Sequence, residues 1–111
     1  MSRYLFQVSY TAASWKAQVE STANVIDRVK PVLTACNGTM ESLDYAFGTT
    51  DLFLIADFPA KEDAIAFSLA VTAGGALTSI TTTPLISVEE GMEGMRRAAA
   101  VSGLYVPPVR A

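Results

Sequence analysis

Polar and apolar residues alternate from Tyr4 to Tyr10, with Tyr4, Phe6, Val8 and Tyr10 on one side and Leu5, Gln7 and Ser9 on the other. That period of two marks a strand. Beyond Thr11, Trp15 opens a helical region in which Val25, Val29, Leu33 and Cys36 recur at helical spacing up to a stop at Asn37-Gly38. Pro31 deletes a backbone donor inside that pattern, so two helical pieces are expected, with a kink or restart near Lys30. Thr39 to Phe47 reads as a second strand, with Glu41, Leu43, Tyr45 and Phe47 on one face and Met40, Ser42, Asp44 and Ala46 on the other. Gly48 to Asp51 turns the chain into a third strand, Leu52 to Phe58, apolar on both faces and ended by Pro59. A second helix follows, acidic in its first turn at Glu62 and Asp63 and stopped at Gly74-Gly75. Leu77 to Pro84 alternates as a fourth strand, and Ser87 to Glu90 has the spacing of a capping box that starts a short closing helix with Met92, Met95 and Arg96.

The order β-α-β-β-α-β predicts an α+β, ferredoxin-like fold: a four-stranded antiparallel sheet with both helices on one face. Its other face is left open. Leu5 and its neighbours or the aromatic side of the first strand must then lie on that face, together with one side of the third strand. Each large apolar side chain kept out of water is worth roughly 1.5–3 kcal/mol, so a cover is expected. A two-fold homodimer, sheet on sheet, supplies it with one patch used twice, and larger assemblies can build on it. The alternative is a C-terminal segment folded back over the sheet.

At 111 residues and 50% apolar content the chain is one domain with a real core, expected over residues 1–100 with 101–111 as a tail. Its formal charge of −3, with scattered basic residues, argues against a nucleic-acid or anionic-membrane surface. Cys36 is single, which rules out an intrachain disulfide and reads as a small packing residue. Ala64 to Val88 carries no charge, but Gly74-Gly75, Pro84 and the threonine run break it, against a membrane span. The opening Met1 to Tyr4 shows no signal core, so a cytoplasmic location is expected.

The opening Tyr4 to Trp15, the motif Phe47-Gly-Thr-Thr-Asp51 with the following Leu-Phe-Leu-Ile, and the strand Ile80 to Pro84 together resemble the GYD domain family over about residues 3–90. The resemblance implies a dimeric α+β barrel, related in fold to cofactor-free monooxygenases, stress-responsive barrel proteins and the effector-sensing domains of leucine-responsive regulators. It implies no particular activity. One departure stands out: Thr50 occupies the place where the family signature has an aromatic residue, which leaves any role of that ring to a neighbour such as Tyr45.

The chain has no histidine, the commonest base near neutral pH and the commonest transition-metal ligand, and no phosphate-binding loop. Neither a cofactor nor a metal is expected. The residues left to build a ligand site are Tyr10, Trp15, Tyr45 and Asp51, although Asp51 reads first as a turn carboxylate, and Tyr10 with Trp15 first as the closed end of a core. Asp44 and Glu41 read as solvated, and Lys16, next to Trp15, equally as a contact to an anionic ligand or as part of a solvated helix face. Two functions are weighed on this basis: a homodimeric module that binds a small apolar ligand or serves as an assembly unit, and a cofactor-free oxygenase or isomerase of small aromatic or polyketide-like compounds. A ligand-sensing regulator would need a separate DNA-binding chain.

Overall fold

The computed structural model describes residues 2–109. The elements run β1 (Ser2–Tyr10), α1 (Ala12–Glu20), α2 (Val25–Ala35), β2 (Thr39–Tyr45), β3 (Leu52–Phe58), α3 (Lys61–Ala73), β4 (Leu77–Leu85) and α4 (Val88–Val101), closed by a 3₁₀ turn at Ser102–Leu104. The four strands form one sheet in the order β2-β3-β1-β4, with every neighbouring pair antiparallel, which is the expected ferredoxin-like α+β arrangement.

The first helical region is indeed two helices, but the break lies elsewhere than expected. Pro31 is carried inside an unbroken α2, and the interruption falls between Glu20 and Val25. The polar run Ser21-Thr22 offers α1 nothing to bury, and Asn24 restarts the chain by accepting from the Ile26 amide at 2.9 Å. At its other end α2 closes with two reverse bonds, Gly38 N–H to Leu33 C=O at 2.8 Å and Asn37 N–H to Thr34 C=O at 2.9 Å. Asn37 takes the left-handed φ of 61° that this Schellman cap requires. Gly38 is needed for a different reason: a Cβ there would stand 2.6 Å from Leu33 Cδ1 and 2.7 Å from a Phe58 ring carbon.

β2 also departs from simple alternation. A bulge between Met40 and Ser42 puts Met40 opposite Ala56 and Leu43 opposite Leu54, so Met40, Leu43 and Tyr45 share the helix-covered face and Glu41 is the extra residue. The strand stops at Tyr45, two residues before the expected Phe47, whose side chain is 94% exposed.

The core lies between sheet and helices. Tyr4, Phe6 and Val8 of β1 and Leu52, Leu54, Ala56 and Phe58 of β3 are buried there against Val25, Leu33, Ala64 and Phe67. Phe6, Phe58 and Phe67 meet at centroid distances of 5.1 to 6.0 Å, two of the three contacts edge-on, the arrangement aromatic rings favour. Cys36, half-buried, caps α2 and packs against this core.

The opposite face of the sheet has no helix over it. The register places Leu5 between Ile55 and Thr83, and Gln7 between Phe53 and Thr81, all with side chains turned away from the core. An apolar strip of Leu5, Phe53 and Ile55 therefore runs down the middle, bordered by hydroxyls of β4 and by Ser42 and Asp44 of β2. The aromatic side of β1 is the buried one. Arg3 bridges to Glu41 at this face through two bonds of 2.8 and 2.9 Å.

α4 does not cover that strip. Its start is the expected capping box: Ser87 Oγ accepts from the Glu90 amide at 3.0 Å, and Glu90 Oε1 accepts from the Ser87 amide at 3.1 Å, which holds the Glu90 carboxyl below its usual range. The helix runs for 14 residues and buries none of them. With this arm the radius of gyration is 18.1 Å, against about 13 Å for a compact chain of this length. No helix among the described residues is long and apolar enough to cross a membrane.

Candidate functional site

The end of the sheet where β1 finishes and β3 begins gathers the polar and aromatic side chains. Asp51 immediately precedes β3, and its backbone ties the turn to the sheet: its N–H donates to Val8 C=O at 2.8 Å, and its C=O accepts from Ala46 N–H at 2.8 Å. Held there, its Oδ2 accepts two bonds, from the Tyr10 backbone N–H at 2.9 Å and from Trp15 Nε1 at 3.3 Å. Tyr10 has reached the end of its strand, where the register slips after Ser9, and its amide would otherwise lose a partner.

Three rings cluster at this corner. Tyr10 and Trp15 meet edge-on with centroids 5.3 Å apart, and Trp15 lies 6.1 Å from Tyr45. Trp15 comes from α1, whose N-cap Thr11 accepts from the Ser14 amide at 3.0 Å and so fixes the direction in which the helix leaves the strand. Tyr10, Trp15, Tyr45 and Asp51, far apart in sequence, thus occupy one corner of the fold. Thr50 immediately precedes Asp51 in the turn.

Behind this corner lies a cavity of about 150 Å³ between the sheet and helices α2 and α3. Phe6, Val8, Leu54, Phe67, Val71 and Ile80 form most of its wall. Tyr10, Arg28 and Ala76 border it and equally border a shallower groove of about 420 Å³ between α1 and α2, so these three residues form a rim common to both. Burial raises the Tyr10 phenol above its ordinary value, and the neighbouring Arg28 opposes the rise only in part. The hydroxyl is therefore a neutral donor across the physiological range. Arg28 in turn donates from Nη2 to Gln18 Oε1 at 2.9 Å, and the Tyr45 hydroxyl meets the same oxygen at 3.4 Å.

Other residues weighed from the sequence stand apart from this corner. Asp44 and Glu41 belong to the uncovered side of the sheet, and Lys16 lies on the exposed side of α1, 3.9 Å from Glu20. Arg28 and Ala76 of the rim, and Gln18 of the outer groove, are residues that sequence reasoning passed over. The available signal was spacing: Arg28 follows the buried Val25 by three and precedes the half-buried Val29 by one, at the border of the apolar stripe of α2. Among the described residues no group of three or more His, Cys, Asp or Glu is placed to hold a metal ion.

Comparison with known proteins gives three findings. Residues 4–95 match the family model described as the GYD domain. No curated protein matches the chain. Among solved structures it resembles the 5-chloro-2-hydroxyhydroquinone dehydrochlorinase TftG of Burkholderia phenoliruptrix AC1100, in complex with 2,5-dihydroxybenzoquinone, at 14% identity and a TM-score of 0.47, over 79% of this chain and 97% of that one.

Proposed function

The chain belongs to the GYD domain family, and from that premise we propose that it is a homodimeric module that binds one small, mainly apolar molecule per chain. The observation that carries the ligand half of this reading is the cavity behind Tyr10. Apolar cavities of about 150 Å³ stay dry and take a single aromatic ring, and this one matches that volume with a wall of carbon. Binding is favoured over catalysis because no Asp or Glu lines the cavity or its outer groove, and both contacts of Asp51 Oδ2 go to structural N–H groups.

The dimer half rests on unpartnered apolar surface in two places. One is the strip of Leu5, Phe53 and Ile55 on the uncovered sheet face. The other is the arm, where Val88, Met92 and Met95 repeat along one side of α4 and are 80%, 47% and 71% exposed. A second copy of this chain is the occupant that covers both, since the arm extends beyond its own domain and a two-fold partner uses each surface twice. Nucleic acid and membrane have no part in this reading.

Filling the cavity tests the ligand half. Val71→Phe places a ring in the space, and it is expected to abolish saturable toluene binding, followed by the fluorescence of Trp15, the chain's one tryptophan, while the fold persists. Unchanged toluene binding in a folded Val71→Phe protein would sink the assignment of the cavity as the site.

A further inference from the structure

The rim pairs a fixed positive charge with a neutral hydroxyl above a cavity that is otherwise carbon. Arg28 borders both the cavity and the outer groove; it donates from Nη2 to Gln18 Oε1 at 2.9 Å and interacts with the Tyr10 phenol, which still leaves guanidinium N–H donors for a ligand. None of the ion pairs among the described residues involves it. Asp51 Oδ2 accepts from the Tyr10 amide and the Trp15 indole instead of pairing with Arg28, although its charge reaches the Tyr10 phenol. Tyr10, held protonated by burial, adds an O–H donor beside the guanidinium. No carboxylate lines either space, so Arg28 is the one charged side chain among their lining residues.

We propose that the site takes a small monocarboxylate, its single ring or short branched alkyl group filling the cavity and its carboxylate held at the rim between Arg28 and the Tyr10 hydroxyl. This rests on the reading of the cavity as the ligand site. The volume of about 150 Å³ admits one ring and not two fused ones. One guanidinium and one hydroxyl match the planar, singly charged carboxylate; a phosphate would call for further cations that the rim does not hold.

The test titrates the protein with benzoate, its uncharged isostere benzamide, and toluene, followed by Trp15 fluorescence, in the native chain and in Arg28→Gln and Arg28→Lys. Benzoate is expected to bind at least about tenfold more tightly than benzamide, the worth of a charge-assisted contact. Arg28→Gln should erase that preference while toluene still binds saturably, and Arg28→Lys, which keeps the charge without the fork, should retain part of the preference. Equal affinity for benzoate and benzamide in the native chain, or a benzoate preference that survives Arg28→Gln, would overturn the proposal. Toluene binding without benzoate binding would overturn it and leave the cavity assignment standing. Binding of neither would remove both.

Discussion

Asp51 is a structural tether before it is anything else. Its carboxylate satisfies the Tyr10 amide at the point where β1 leaves its ladder, and orients the Trp15 indole over the rim. Asp51→Ala leaves that amide without its partner and is expected to cost about 1–3 kcal/mol, read from the urea midpoint at unchanged slope. Tyr10 makes a second, pH-dependent contribution. Its phenol is raised above the ordinary value by burial, with Arg28, Tyr45 and Asp51 as its charged or titratable neighbours. A raised group stabilises the fold fully below its unfolded value of about 10 and loses that contribution as pH rises through the folded value. Stability should therefore fall more steeply above about pH 10 in the native chain than in Tyr10→Phe, as thermal melts across that range would show. Tyr10, Trp15, Tyr45 and Asp51 were legible as candidates because strand ends, turns and polar-tipped rings show in the sequence itself. Arg28 was not, since a scattered basic residue gains meaning only from the depth at which α2 meets the end of the sheet.

At the scale of elements, hydrophobic period and stop signals were enough to place four strands and the helices between them. The misread details share one cause: tertiary contacts overrode local pattern. β2 reads as clean alternation, yet its bulge returns Met40 to the core side opposite Ala56. Pro31 signals a break, yet α2 keeps its course because its inner face, from Val25 to Leu33, is buried. The Asn37-Gly38 stop was read correctly, and the structure adds why its second residue must be small. Gly38→Ala would drive a methyl group into Leu33 and Phe58 and is expected to destabilise by about 1–3 kcal/mol, measured by denaturant unfolding. The same substitution is predicted to leave Trp15 and the rim undisturbed, because that corner lies at the other end of α2.

For the whole molecule, the sheet face anticipated as uncovered is uncovered, and the C-terminal segment projects instead of folding back over it. The direction of that arm was not legible, because an amphipathic helix declares that it has a partner and not whose surface the partner is. The uncovered strip is also narrower than strand three alone suggested, since the hydroxyls of β4 flank it. Ile55→Lys puts a charge in the centre of the strip without touching the core and is expected to convert the proposed dimer to monomers in sedimentation equilibrium. Native mass spectrometry of the purified chain with benzoate added reports subunit count and ligand occupancy together, and so bears most directly on a homodimeric binding module. The prediction is a particle of twice 11.8 kDa carrying up to two ligands; a monomer, or a dimer that takes up no ligand at any benzoate concentration, would contradict it.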